Sequence, residues 1–136
     1  MKLTAKIRLA STIVVTILLA ATIPLVFAQP NTISQIVNIQ LINYVTGLPI
    51  AAQVTVTYTC MNPNGSWYPY AIEGFVGLRG ATFTLICTSP ATFNPWIHAY
   101  AQSGFWYGTS DYNGIPSHGG IPVNLAIGLS YSDGYY

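Results

Sequence analysis

The chain has 136 residues, 51% of them hydrophobic and only 5% charged, with four Lys/Arg and three Asp/Glu. An average domain is about 25% charged; so few charges exclude nucleic-acid binding, which needs several cations to neutralise phosphates, and disorder, which needs a polar, charged composition. Three of the cations (Lys2, Lys6 and Arg8) lie at the start, so everything after residue 28 carries Arg79, Glu73, Asp111 and Asp133 and no lysine, which excludes a Schiff base or a lysine isopeptide crosslink there.

Residues 1–28 join a basic start to an apolar run from Leu9 to Phe27 and end on the small-residue pattern Val26-Phe27-Ala28. That order predicts a Sec-type signal peptide cleaved between Ala28 and Gln29. Two alternatives stay open. A run of about 17–25 apolar residues also spans a bilayer, so the segment can be retained as an anchor, the chain's one route to a membrane. The stretch Arg8-Leu9-Ala10-Ser11 is a weak match to a type IV pilin leader, after which the apolar helix would stay in a filament core.

Residues 29–136 are the length of a single domain. Their dominant period is two, the signature of strands. Val37, Ile39 and Leu41 alternate with Asn38 and Gln40. After a turn at Thr46-Gly47-Leu48-Pro49, Ala52, Val54, Val56, Tyr58 and Cys60 alternate with Gln53, Thr55, Thr57 and Thr59. Residues 62–66 (Asn-Pro-Asn-Gly-Ser) predict a turn. Tyr68 to Leu78 is a weaker strand broken by Gly74 and Gly77; Phe83, Leu85 and Cys87 alternate with threonines in the next. Trp96 to Ala101 and Phe105 to Tyr107 read as strands, residues 108–120 as a Gly-rich loop, and Val123 to Tyr131 as a last alternating strand. Six to eight short strands with turns at this spacing predict an all-β fold, an antiparallel sandwich.

Cys60 and Cys87 both fall on the apolar face of their strands. In an exported chain an even cysteine count predicts a disulfide, the alternative being two buried thiols. The outer faces carry Thr, Ser, Asn, Gln and Tyr in place of the charged residues that normally protect exposed edges from pairing. The first and last strands lack such protection. Either Pro122, glycines and glycans shield those edges, or the edges are meant to pair.

The run Val37 to Tyr58, V-N-I-Q-L-I-N-Y-V-T-G-L-P-I-A-A-Q-V-T-V-T-Y, resembles the opening hairpin of carboxypeptidase-regulatory-like and transthyretin-like domains, which join two strands through T-G-x-P. Trp96 to Tyr107, W-I-H-A-Y-A-Q-S-G-F-W-Y, is similar to a later hairpin of those domains, whereas their T-D-x-x-G-x-[FY] segment has only a faint echo at Ile72-Glu73-Gly74-Phe75. The resemblance covers about a third of residues 29–136 and implies an Ig-like or prealbumin-like sandwich and an accessory, non-catalytic module. The overall plan also resembles the surface-filament subunits of hyperthermophilic archaea, the threads and bundling pili, in which an N-terminal strand completes the next subunit. That resemblance implies a donor strand at Ile33 to Tyr44, with Ile33, Ile36, Val37, Ile39 and Leu41 as its apolar residues.

The remaining chemistry is sparse. His98 alternates with Trp96 and Tyr100 on a strand and reads as a hydrogen-bonded histidine. His118 shares a loop with Asp111, too few ligands for a metal centre. Glu73, Asp111 and Asp133 are too scattered to act as paired carboxylates, and no serine or cysteine has a nucleophile motif such as G-x-S-x-G. No enzymatic activity, cofactor or metal is therefore expected. Asn64-Gly65-Ser66 is the sole N-x-[ST] sequon, either a glycosylation site or an ordinary turn. The aromatic clusters Trp67-Tyr68-Pro69-Tyr70, Phe105-Trp106-Tyr107 and Tyr131 to Tyr136 could stack on sugars or on a partner, although a domain this small should place about half of them in its core. The leading expectation is an exported structural subunit that assembles with copies of itself by strand addition. The alternative is a monomeric surface module for adhesion or carbohydrate binding.

Overall fold

The computed structural model describes residues 31–132, whose regular structure is entirely strand. The expected signal at 1–28, its cleavage site between Ala28 and Gln29, the anchor and pilin alternatives, and Asp133 with the last tyrosines lie outside the described residues. Among the described residues no helix is long and apolar enough to cross a membrane.

Seven strands follow in order: β1 (Thr32–Asn43), β2 (Ala52–Met61), β3 (Trp67–Val76), β4 (Ala81–Thr88), β5 (Thr92–Ser103), β6 (Trp106–Asn113) and β7 (Val123–Tyr131). Alternation sets their faces, because successive side chains of a strand point to opposite sides. Thus Ala52, Val54, Val56, Tyr58 and Cys60 of β2 are buried while Gln53 and Met61 are exposed. Phe83, Leu85 and Cys87 of β4 and Val123, Leu125, Ile127 and Leu129 of β7 complete the pattern. The inward rows form a single apolar core.

All seven strands hydrogen-bond in one nearly closed sheet, in the order β3-β2-β5-β6-β7-β1-β4. The sheet folds over its own core, so that its two ends approach. Cys60 of β2 is bonded to Cys87 of β4, the Tyr58 hydroxyl reaches Ile86 of β4 at 3.0 Å, and Gly74 of β3 leaves room for the Phe83 ring, 2.9 Å from where a Cβ would stand. One joint in the sheet is thin: β6 and β7 pair only at Trp106 with Tyr131 and Tyr107 with Ser130. Beyond those two pairs the ladder stops, and the 114–122 segment that joins the strands reaches β5 and β1. There Ile115 is buried, Phe93 donates its N–H to the Ser117 carbonyl at 2.9 Å, and Gln35 donates to the Ile121 carbonyl at 3.0 Å.

Three expectations about topology are corrected. First, β1 and β2 are not a hairpin. β2 pairs with β3 and β5, and residues 44–51 cross from one limb of the folded sheet to the other, with Asn43 N–H bonded to the Leu48 carbonyl and Ile50 N–H to the Leu41 carbonyl. The T-G-L-P turn fits either connection, because it specifies only a local reversal. Second, the first and last strands are not edges. β1 lies between β4, with which it is antiparallel from Thr32 to Ile39, and β7, with which it is parallel from Val37 to Asn43. Its twelve residues are long enough to serve a different neighbour with each half. The sheet therefore ends on β3 and β4, and it is not wholly antiparallel. Third, the Gly-rich loop starts later than its composition implies, since β6 runs to Asn113. Gly108 is a close-packing glycine, because a Cβ there would run into the Gly128 carbonyl.

Candidate functional site

The expected donor segment is β1, and the structure divides its side chains by face. Val37, Ile39 and Leu41 are buried and Ile33 packs half-buried against the same core. Ile36 points the other way and is 40% exposed. Period two decides this, since an even-numbered residue cannot share the inward face with 33, 37, 39 and 41. The inward residue at this point is Gln35, which sequence reasoning passed over as polar. It is fully buried, its amide nitrogen donates to the Ile36 and Ile121 carbonyls at 3.0 Å each, and its Oε1 has no hydrogen-bond partner among the described residues. A buried amide of this kind is tolerated only in one register, because a two-residue slide would exchange it for an aliphatic neighbour.

The expected disulfide is present between Cys60 and Cys87, with a Cα–Cα distance of 5.7 Å and 27 residues of separation. It ties β2 to β4, strands far apart in the sheet order and brought together only by the fold-over.

The 62–66 turn projects between β2 and β3 with Asn64 exposed. Asn62 N–H bonds to the Ser66 carbonyl at 2.7 Å, and Gly65 takes a φ of 85°. Asn64 Oδ1 accepts from the Ser66 N–H at 2.9 Å and from the Ser66 hydroxyl at 2.6 Å.

Asp111 meets His98, its cross-strand neighbour, with Oδ1 2.7 Å from Nδ1, while His118 is exposed in the 114–122 segment. Trp96 stacks on the His98 ring at 5.8 Å. Glu73 is exposed on the edge strand β3. Among the described residues no three His, Cys, Asp or Glu side chains converge as metal ligands.

The aromatic clusters are less buried than expected. The core takes Tyr58, Phe83 and Phe93, all from outside the clusters, while Trp67, Tyr68 and Tyr70 line edge strand β3 and stay exposed. Tyr70 stacks on Tyr58 at 5.5 Å. Phe105 and Trp106 gather around Tyr131 at 6.0 and 5.6 Å, at the thin β6–β7 joint. Comparison of the chain with protein-family models, with curated proteins and with solved structures gives no match.

Proposed function

We propose that the chain is an exported structural subunit that assembles with copies of itself at the cell surface, each subunit's β1 completing the sheet of the next. In this reading the folded sheet acts as an Ig-like or prealbumin-like sandwich with one replaceable strand. The observation that carries it is the seat of β1, the first strand, held between β7 and β4 by backbone ladders on both sides. A second copy carries the same strand, so every ladder bond and every inward contact made within one chain can be made between two. The hinge for such an exchange is the 44–51 crossover, where Tyr44, Val45 and Leu48 are exposed. Eight extended residues reach roughly 26–29 Å, enough to carry β1 out of its own sheet. The outer faces carry few charges (Glu73, Arg79 and Asp111 are the exposed ones among the described residues), so repulsion between copies is small.

A crosslink reads the exchange directly. Asn38 on β1 and Asn124 on β7 are register partners whose amides bond at 3.0 Å. With Asn38→Cys and Asn124→Cys, filaments run on a non-reducing gel should give a ladder of covalent multimers. Intact filaments that dissociate to crosslinked monomers would show that β1 stays at home. Deletion of residues 29–44 should abolish filaments, and normal filaments from that chain would overturn the proposal.

The second reading, a monomeric adhesion or carbohydrate-binding module of the Ig-like or transthyretin-like kind, is favoured by one fact: β1 already satisfies its own sheet. A monodisperse monomer that melts cooperatively and never polymerises would support it.

A further inference from the structure

We infer that the outer face of the β4-β1-β7 limb carries a binding site for a carboxylated sugar. A surface groove of about 510 Å³ crosses these three strands, within the size range of small-ligand sites. Its floor is a polar row fixed by register: Asn38 stands opposite Thr82 on one side and Asn124 on the other. The Thr82 hydroxyl donates to Asn38 Oδ1 at 2.8 Å, and Asn38 Nδ2 donates to Asn124 Oδ1 at 3.0 Å. This chain of bonds orients the amides and leaves Asn124 Nδ2 with no bond to any described residue. Gln40, one row along, makes no side-chain hydrogen bond to any described residue, and its register neighbour Ala126 is small.

Arg79 stands at the rim. Among the described residues it is the sole cation, it is exposed, and it makes no ion pair or hydrogen bond with any of them. Its place is set by the turn before β4, where Gly80 takes a φ of 85° and presses so closely on β1 that a Cβ would stand 2.7 Å from the Ile39 carbonyl. No carboxylate lines the groove.

These groups select a chemical class. A guanidinium binds a carboxylate through two parallel N–H···O bonds. Oriented carboxamides offer adjacent donors and acceptors that match neighbouring hydroxyls. One cation is too few for a polyphosphate or a nucleic acid. A ring bearing hydroxyls and one carboxylate, a hexuronate, uses every feature at once. No aromatic ring lines the groove, so recognition is polar, of modest affinity and weakened by salt. The same residues line the groove whichever copy supplies β1, so the site stands or falls independently of strand exchange.

The test is NMR titration of the exported domain with trigalacturonic acid, with its methyl ester, and with acetate. We expect shifts at Arg79, Gln40 and Asn124 with a Kd of about 1 mM or tighter for the acid, at least tenfold weaker binding of the ester, and no saturable binding of acetate. Arg79→Gln and Asn124→Asp should each weaken the acid at least tenfold, while circular dichroism and Tm stay unchanged; the second substitution keeps the acceptor of the Asn38 bond and adds a repelling charge. Equal affinity for acid and ester, saturable binding of acetate at comparable strength, retained affinity in Arg79→Gln, or no shifts at about 10 mM trisaccharide would overturn the assignment.

Discussion

The hydroxyl of Tyr58 on β2 serves both peptide groups of Ile86 on β4, donating to its carbonyl at 3.0 Å and accepting from its N–H at 3.2 Å. β4 ends the sheet and has a strand neighbour on one side only. At Ile86 a side chain therefore stands where a further strand would be. The Tyr58 ring holds this position between Tyr70 at 5.5 Å and Phe93 at 6.1 Å. Tyr58→Phe keeps the packing and strands two partly buried peptide groups, so it should lower stability by about 1–3 kcal/mol. Urea denaturation should show a lower midpoint at unchanged slope, and a loss below about 0.5 kcal/mol would mean that water replaces the hydroxyl freely.

Removing the Cys60–Cys87 bond frees the 27-residue separation that it closes. In the chain-entropy model a loop of this size is worth about 3–4 kcal/mol, which for a domain of about 100 residues corresponds to roughly 15–20 °C in Tm. Cys60→Ala with Cys87→Ala, or reduction of the native chain, should show that drop by calorimetry. A shift under about 5 °C would place the bond's stabilising role elsewhere.

Gly108 and Gly128 meet backbone to backbone where β6 and β7 part. A Cβ on Gly108 would collide with the Gly128 carbonyl and stand 3.1 Å from the Ile127 side chain. Gly108→Ala should therefore destabilise by about 2–3 kcal/mol through overpacking, and more than its size implies because only two residue pairs join these strands. Gly77→Ala is the control: nothing lies within 4 Å of its Cβ, and it should stay within about 1 kcal/mol of the parent. Equal effects from the two substitutions would refute the close approach.

Much of the fold was legible in the sequence, because period two is a local signal that survives without knowledge of neighbours. β2, β4 and β7 begin and end within a residue or two of their alternating runs, and the inward placement of both cysteines follows from the same period. Pairing was not legible. Nothing in Thr46-Gly47-Leu48-Pro49 distinguishes a hairpin from a crossover, and nothing in β1 announces that its two halves serve different partners. The candidate sites divide the same way. Asn64 and the disulfide are carried by motif and parity, which are sequence properties. His98 with Asp111, and Thr82 with Asn38 and Asn124, exist only through cross-strand register, over separations of 13, 44 and 86 residues. Gln35 was missed because a polar residue in an apolar run reads as outward until its face is counted from Val37 and Ile39.

The parallel pairing of β1 with β7 also fixes how the fold carries load. The first and last strands run side by side in the same direction, in register from Val37 with Val123 to Asn43 with Leu129. The chain therefore enters at one end of this ladder and leaves at the other. Tension applied before β1 and after β7 slides the two strands lengthwise past each other and loads the backbone bonds of all seven residue pairs together. An antiparallel pair pulled from adjacent ends would instead open like a zipper, one bond at a time. Whether the β1 in that ladder belongs to the same chain or to a neighbour, the geometry is one of shear, the direction in which a thin β structure resists stretching best.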